Sequence, residues 1–205
     1  MPWLMAVFYD RFMRKTETHC LAAWRAELVK EVSGHVLDVG AGTGANLPYY
    51  REGVQRLVLA EPDPHMRTRL EKRLGACELN AEVADASLEE LPFTDGTFDV
   101  VVSTLVLCSV PDLAPALAEI RRVLRPGGRF VFLEHVASGD PSRYAWQRRL
   151  EPLWRLVAGN CRLTRRTEQA ILEAGLTLDS CTRESMRKAI SLVRPTVRGV
   201  ALREP

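Results

Sequence analysis

The feature that most constrains the fold is a short apolar run that passes directly into a glycine-rich loop. Val36–Val39 is apolar except for Asp38, and it is followed by Gly40, Gly42 and Gly44. Such a run predicts a buried strand, and glycines between a strand and a helix allow positive φ angles and close approach of a ligand to the main chain. The unpaired N–H groups of the following helical turn favour an anionic or polar ligand group at this loop.

Similar apolar runs alternate with helical patterns along the chain. Strands are predicted at His35–Val39, Arg56–Ala60, Leu79–Ala84, Phe98–Leu107 and Arg129–Val136. Helices are predicted near 44–52, 64–76, 87–91 and 112–125, and Asp112 is the expected cap of the last one. Near-continuous apolar strands are typical of a sheet that is covered on both faces, and the alternation favours parallel order. The predicted fold class is α/β, with a doubly wound, mostly parallel sheet.

The length of 205 residues, without a repeat or a linker, predicts a single domain. An amphipathic helix is expected at 17–31, helices are expected within 144–174, and Leu176–Cys181 and Ile190–Ala201 are expected to add two edge strands. The three expected parts are an N-terminal helical lid, a cofactor-binding core and a C-terminal cover, at residues 1–33, 34–140 and 141–205.

Charge and composition exclude several classes of protein. The net charge of +2, from 28 basic and 26 acidic residues, is too small for a dedicated nucleic-acid binder. The longest uncharged stretches, Val39–Tyr50 and Val100–Pro111, have 12 residues, whereas a membrane-spanning helix needs about 20 apolar residues. We therefore expect no transmembrane span, although the apolar residues 1–9 leave contact with a membrane surface open. The odd number and wide spacing of the cysteines favour reduced thiols in the cytoplasm and no structural zinc: Cys20, Cys77, Cys108, Cys161 and Cys181.

The glycine loop alone does not identify its ligand, because its spacing also matches the dinucleotide-binding fingerprint. Glu61 follows the second predicted strand, 21 residues after Gly40, where a carboxylate can bind the ribose hydroxyls of NAD or of S-adenosylmethionine. Asp38 separates the two cofactors, since its carboxylate would repel a pyrophosphate and attract the ammonium of a methionine group. S-adenosylmethionine is favoured.

Four segments together resemble the motifs of class I S-adenosylmethionine-dependent methyltransferases: Asp38–Gly44, Glu61, Asp85 and Leu124-Arg125-Pro126-Gly127-Gly128. The resemblance implies a Rossmann-like sheet, S-adenosylmethionine as cofactor and S-adenosylhomocysteine as product. It also implies a set of cofactor-binding residues on the glycine loop and after the next three strands. These are Asp38, Gly40, Ala41, Gly42, Gly44, Asn46, Glu61, Pro62, Met66, Asp85, Ala86, Thr104 and Leu105.

By this resemblance the glycine loop holds the methionine end of the cofactor and Glu61 holds the ribose. Pro62 and Met66 would contact the faces of the adenine ring. The adenine edge would be bound by the Asp85 side chain and the backbone of the next residue, Ala86. Thr104 and Leu105, at the end of the fourth strand, would lie near the transferred methyl group.

A narrower resemblance covers the chain from residue 42 nearly to its C-terminus. Its segments are similar to the alkyl thiol methyltransferases of mammals and their bacterial relatives: Gly42–Asn46, Thr104–Val110, Glu134–Ala137, Glu151–Trp154, Cys161–Arg165 and Leu192–Pro195. The resemblance implies a small-molecule acceptor with a thiol. The mammalian members carry a hydrophobic membrane anchor, whereas this chain begins with only nine apolar or uncharged residues, so membrane residence is not carried over.

His135 is the candidate catalytic residue, because it ends the fifth strand on the side where open α/β sheets bind ligands. A thiol reacts as its thiolate, and a nearby general base favours that form. The alternative is a hydrogen-bonded structural histidine. Cys108 and Cys161 are interpreted as packing residues rather than nucleophiles. Four aromatic residues line either a substrate cavity or the core: Phe8, Tyr9, Trp146 and Trp154.

Several functions remain open at this point. Methylation of a quinone precursor or of a phospholipid headgroup is the nearest alternative, because such enzymes share the general core. A cofactor-binding protein without catalytic activity is an alternative from another class. Methylation of nucleic-acid bases is disfavoured, since Leu105 and Val106 follow Thr104 where such enzymes carry an Asn/Asp-Pro-Pro-aromatic motif. The sequence does not predict an oligomeric state.

Overall fold

A computed structural model describes residues 3–205, with side chains described from residue 10 onward, and its centre is one seven-stranded sheet. The strands are β1 Gly34–Val39, β2 Val54–Ala60, β3 Glu82–Ala84, β4 Phe98–Thr104, β5 Leu124–His135, β6 Thr177–Ser185 and β7 Pro195–Leu202. Their spatial order is β3-β2-β1-β4-β5-β7-β6, in which β1 to β5 are parallel and β7 is antiparallel to both of its neighbours. The predicted α/β class with a mostly parallel sheet is confirmed.

Helices cover the sheet, and their ends follow local side-chain chemistry. They are α1 Trp3–Thr16, α2 Ala22–Val29, α3 Pro64–Leu74, α4 Leu113–Val123, α5 Pro141–Val157 and α6 Thr167–Glu173. A π-helical turn at Glu17–Leu21 joins α1 to α2. Asp112 accepts a hydrogen bond from the N–H of Ala114 and so caps α4 as predicted. The apolar face of α4 is buried against the sheet: Leu113, Ala116, Leu117, Ile120 and Val123.

Two predicted helices are wrong. The segment near 44–52 contains only one 3₁₀ turn, Leu47–Tyr49, because the positive φ of Gly44 and the ring of Pro48 prevent a longer helix. The segment 87–91 contains no helix, since Ser87 Oγ bonds to the Glu89 side chain and Ser87 forms an isolated antiparallel bridge with Glu90. Local side-chain bonds of this kind compete with a helix.

The boundaries of several other elements also differ from the prediction. β4 ends at Thr104 rather than at Leu107, because Leu105 turns the chain with φ of 62°. The region 144–174, where helices are predicted, contains parts of two helices, α5 and α6, with a loop between them. Gly159 and Asn160 lie in the loop between α5 and α6, and their φ values of 59° and 66° are not helical.

The core lies on both faces of the sheet. One face packs β-strand side chains against α4, and the other packs them against α2 and α3. The two strands predicted near the C-terminus are present as β6 and β7, which pair along eight positions and extend the sheet beyond β5. Only β6 lies at the edge, because β7 pairs with β5 on its other side. Among the residues that the structure describes, no helix combines the length and the apolarity needed to cross a bilayer.

Candidate functional site

The glycine loop lies between the C-terminal end of β1 and the 3₁₀ turn. Gly40, Gly42 and Gly44 have φ of 60°, 61° and 86°, in the region that favours glycine. A Cβ on Gly40 would lie 2.6 Å from the Val106 side chain, and one on Gly44 would lie 2.6 Å from that of Leu47. The loop therefore needs glycine both for its backbone conformation and for its close packing.

A buried polar network lies beneath the loop and is centred on Asp38. Asn46 Nδ2 donates hydrogen bonds to both carboxylate oxygens at 3.2 and 3.0 Å, and the Tyr50 hydroxyl donates a third at 2.8 Å. Burial raises the pKa of Asp38 to about 6, although these hydrogen bonds act in the opposite direction. Arg25 Nη1 continues the network by donating to Asn46 Oδ1 at 2.8 Å and to Thr104 Oγ1 at 2.5 Å.

Arg25 is a site residue that sequence reasoning missed. Its side chain is almost completely buried, and its Nε donates to Glu17 Oε1 at 3.1 Å. It follows Leu21 by four residues and precedes Val29 by four, so it lies on the buried face of the N-terminal helix. A single arginine at helical spacing between two buried apolar residues was the signal that could have identified it.

Glu61 follows β2 and holds the glycine loop in place. Its Oε2 accepts a hydrogen bond from the N–H of Gly42 at 2.8 Å, and its Oε1 accepts one from the N–H of Asp63 at 2.9 Å. Burial raises its pKa, and the two backbone hydrogen bonds oppose this effect. Each carboxylate oxygen can accept more than one hydrogen bond, so Glu61 retains the capacity to bind a diol.

Asp85 is placed differently from the other predicted cofactor residues. Its side chain is two-thirds exposed, and both of its oxygens accept hydrogen bonds from Arg67, each at 2.8 Å. Neither Asp85 nor the buried Ala86 lines the large cavity beside the glycine loop. Leu88 and Glu89 line it instead.

A cavity of about 840 Å³ runs from the glycine loop to the end of β5. Gly40, Gly42, Glu61, Pro62 and Met66 line one end of it. The remainder is mainly apolar and includes Leu105, Val106, Val110, Trp154, Val157, Ile190 and Val193. The predicted cofactor loop and the predicted acceptor region are thus parts of one continuous space.

The C-terminal part of α1 lies over this cavity, where the sequence predicts a lid. Phe12 and Met13 line the cavity. Asp10 attaches the helix to the glycine loop, because its carboxylate accepts from Thr43 Oγ1 at 2.7 Å and from Arg73 Nη2 at 2.5 Å. Trp154 lines the cavity, whereas Trp146 is exposed and does not. The predicted contributions of Phe8 and Tyr9 lie outside the described side chains.

A second buried carboxylate, Glu134 on β5, shapes the turn that follows β4. It accepts hydrogen bonds from Ser103 Oγ at 3.0 Å and from the three backbone N–H groups of residues 106–108 at 3.0 to 3.3 Å. Leu105, with its positive φ, precedes these three amides. Glu134 therefore holds the backbone of the loop that carries Leu105 and Cys108 into the cavity.

His135 is adjacent to Cys108 and Cys161, which are interpreted from the sequence as packing residues. Its Nε2 lies 2.6 Å from Cys161 Sγ, and Trp154 Nε1 donates to the same sulfur at 3.3 Å. One ligand atom from each of Cys108, His135 and Cys161 lies within 4.8 Å of the others, and all three residues are buried. A hydrogen bond from the Cys108 thiol, together with His135 and Trp154, holds the pKa of Cys161 well below its usual range.

The other ring nitrogen of His135 differs in its surroundings. Nδ1 is buried, and the part of the chain that the structure describes offers it no hydrogen-bond partner. The ring is thus held by polar contacts only on its sulfur side. The sequence predicts that His135 lies at this end of the sheet, but the two cysteines beside it come from distant segments.

Comparison with known proteins agrees with this geometry. Residues 37–132 match the model of a methyltransferase domain. The human thiol S-methyltransferase TMT1B is 37% identical over 178 residues, which cover 81% of this chain and 70% of that protein.

Solved structures of low sequence identity share the fold. An S-adenosylmethionine-dependent methyltransferase from Mesorhizobium loti has a TM-score of 0.68 at 23% identity, and the match covers 92% of this chain and 98% of that one. A geranyl diphosphate methyltransferase in complex with S-adenosylmethionine also has a TM-score of 0.68, at 18% identity over 89% of this chain and 84% of that one. The glycine loop, the carboxylate after β2 and these matches agree: the chain belongs to the class I S-adenosylmethionine-dependent methyltransferases.

Proposed function

We propose that this methyltransferase methylates the sulfur of a small thiol. One observation carries the proposal: His135 and two cysteines lie in the same apolar cavity as the loop proposed to bind the cofactor. An imidazole in this cavity can take the proton of an acceptor thiol, which is more acidic than a hydroxyl. The similarity to a thiol S-methyltransferase supports the same class of acceptor.

The proposed reaction is an in-line displacement. The acceptor sulfur attacks the methyl carbon of the cofactor and forms a new C–S bond. The sulfonium C–S bond breaks, its electron pair stays on the cofactor sulfur, and S-adenosylhomocysteine is released. A thiolate and a sulfonium neutralise each other as they react, so a cavity with few polar groups favours the transition state. The protein contributes mainly by positioning the two reactants.

His135 is the residue that we propose acts on the acceptor. Free thiols have a pKa of about 8.5, so a neighbour that favours the thiolate form increases the reactive fraction at neutral pH. The sequence makes His135 a candidate general base. Because its Nε2 contacts Cys161, we propose that it acts on the acceptor together with Cys108 and Cys161 and not as an isolated imidazole.

For the cofactor, we propose that the glycine loop holds the methionine end and that Glu61 binds the ribose. Pro62 and Met66 support the proposed adenine position because they line the cavity beside Glu61. An adenine contact by Asp85 requires its carboxylate to bind the ring while paired with Arg67 or to release that residue. We further propose a cytoplasmic location, which is supported by five cysteines without a disulfide.

The proposed acceptor is tested by incubating the protein with S-adenosylmethionine labelled on its methyl group and with a panel of acceptors. The panel contains small thiols, amines, phenols, a quinone precursor and phospholipid vesicles, and mass spectrometry identifies the labelled product. We expect a methyl thioether from an alkyl thiol. A labelled quinone or headgroup would replace the proposed acceptor, and cofactor binding without any labelled product would support a non-catalytic role.

We expect Glu61→Ala to weaken S-adenosylmethionine binding by at least about tenfold, since hydrogen bonds to a charged group contribute about 1.5–3 kcal/mol each. The variant also removes the acceptor of the Gly42 N–H, so both loop position and ribose contact are affected. Calorimetry measures the dissociation constant. Glu52→Ala, which removes an exposed carboxylate, is the matched control, and NAD is not expected to compete. Unchanged affinity in Glu61→Ala would remove Glu61 from the site.

The raised pKa of Asp38 predicts that cofactor binding depends on pH. An ionised Asp38 attracts the ammonium of the methionine group, so affinity should fall about tenfold per pH unit below its pKa of about 6. Between the ordinary value of 3.8 and about 6, the folded state holds the proton more tightly than the unfolded state does. The contribution of this group to the free energy of unfolding therefore decreases as pH rises, opposite to the cofactor affinity.

Calorimetric titrations between about pH 5 and 7 measure this dependence, because that range brackets the expected pKa of Asp38. Asp38→Asn should bind weakly at all of these pH values and should lose most of the pH dependence. Glu61→Gln is the necessary comparison, because burial also raises the pKa of Glu61. If the pH dependence persisted in Asp38→Asn and disappeared in Glu61→Gln, ionisation of Glu61 and not of Asp38 would cause it.

A further inference from the structure

We propose that Cys108, His135 and Cys161 form a binding site for one zinc ion, with the fourth coordination position open to the cavity. The three side chains offer two sulfurs and one imidazole nitrogen within 4.8 Å of one another. Two cysteines and one histidine are ligands that Zn²⁺ prefers, and three protein ligands with an open position are typical of catalytic rather than structural zinc.

The geometry is close to that of a metal site. With Zn–S distances of about 2.3 Å and a Zn–N distance of about 2.0–2.1 Å, tetrahedral coordination separates the ligand atoms by about 3.5–3.8 Å. The limit of 4.8 Å that holds for all three ligand atoms is compatible with this separation for the two sulfurs. The Nε2 to Cys161 Sγ distance of 2.6 Å must lengthen by about 1 Å, which a side-chain rotation can supply.

The surroundings hold the ligands in place from three separate segments. Cys108 follows β4, His135 ends β5 and Cys161 lies in the loop after α5. The N–H of Cys108 is bound by Glu134, and the carbonyl of Cys108 accepts from the N–H of Arg162, so the two cysteine segments are joined. The indole N–H of Trp154 donates to Cys161 Sγ, which is the kind of contact that orients a thiolate ligand.

The proposed zinc ligands come from distant segments, so the spacing of the cysteines in the sequence does not reveal the site. Zinc sites that are recognisable in sequence have pairs of ligands two to four residues apart, whereas these three residues are separated by more than 25. The parallel sheet and the loop after α5 bring them together. Among the described residues His135 Nδ1 has no hydrogen-bond partner, and Nε2, which contacts the Cys161 sulfur, is the nitrogen that would bind the ion.

The role of the metal rests on the proposed function. An acceptor thiol would bind at the open position as a thiolate and release its proton to solvent, and its sulfur would then attack the methyl carbon as described above. The methyl thioether that forms is neutral and a weaker ligand, so it can leave. With zinc bound, His135 would be a metal ligand. Without the metal, His135 would act on the acceptor as a general base.

Metal content tests the site without reference to activity. The full chain, purified under reducing conditions without a metal-affinity tag, should contain about one zinc per chain by mass spectrometry. After removal by a chelator, titration with Co²⁺ should produce thiolate-to-cobalt charge-transfer absorption that saturates at about one equivalent. Cys108→Ser, Cys161→Ser and His135→Ala should each lose this metal, whereas the exposed Cys77→Ser and Cys181→Ser should retain it.

S-adenosylmethionine binding and circular dichroism show whether each variant is folded. The proposal is overturned if the folded wild-type chain binds neither metal, if the three variants retain it, or if Cys108 and Cys161 are found joined in a disulfide. Thiol methylation at the full rate by the metal-free protein would remove the metal from the reaction but keep the proposed function. Stoichiometric zinc without methylation of any thiol would keep the site and reject the proposed acceptor.

Discussion

Replacing His135 with alanine is expected to lower turnover with an alkyl thiol by about 10²–10⁴-fold, the usual effect of removing a residue that activates the reacting group. The affinity for S-adenosylmethionine should change little, because His135 contacts Cys161 and not the glycine loop. Steady-state kinetics with a saturating cofactor and calorimetric cofactor binding are the two measurements. His35→Ala, which removes an exposed imidazole at the start of β1, is the control.

The choice of acceptor makes this prediction more specific. An aryl thiol is more acidic than an alkyl thiol and is already ionised at neutral pH, so it depends less on activation by the protein. The loss in His135→Ala should therefore be larger with the alkyl thiol. Equal losses with both acceptors, or a loss that follows cofactor binding or unfolding, would return His135 to a structural role.

Replacing Glu134 with alanine is expected to lower the free energy of unfolding by about 3–5 kcal/mol, because it leaves several buried donors without an acceptor. Glu134 is completely buried and accepts hydrogen bonds from Ser103 and from the backbone of residues 106–108. Urea unfolding monitored by circular dichroism gives the free energy. A loss of this size is a large fraction of the stability of a typical domain.

Two variants sharpen the interpretation of this result. Glu134→Gln keeps an acceptor of similar shape and should lose less stability than the alanine variant. Glu82→Ala removes a carboxylate that is half exposed and paired with Arg56 at the surface, so it should change stability by no more than about 1 kcal/mol. If Glu134→Ala were as stable as Glu82→Ala, the buried carboxylate would not hold the loop after β4.

Both predictions concern the same end of the sheet. Glu134 and His135 are consecutive residues on β5, and their side chains serve different purposes there. Glu134 holds the loop that carries Leu105 and Cys108, while His135 meets Cys161 across the cavity. If Glu134→Gln is more stable than Glu134→Ala but has no higher turnover, the position of the loop after β4 limits the reaction.

The sequence by itself determined the features that depend on short segments. The strand before Gly40 and the alternation of apolar runs with helical patterns predicted the α/β class, because a strand's burial is visible in its own residues. The glycine loop and Glu61 were each identified from short segments, and they lie side by side because neighbouring parallel strands end at the same edge of a sheet. The cap at Asp112 is equally local.

Only the tertiary structure decided which distant residues meet. Arg25 contacts Thr104, which is 79 residues away, and His135 contacts Cys161 across 26 residues, and no periodicity in the sequence encodes either pair. Local propensity was also insufficient near 44–52 and 87–91, where glycine φ angles, Pro48 and side-chain bonds override the helical pattern. The physical reason for the two distant contacts is that these side chains obtain their partners from packing between separate elements, and that packing exists only after the sheet has formed.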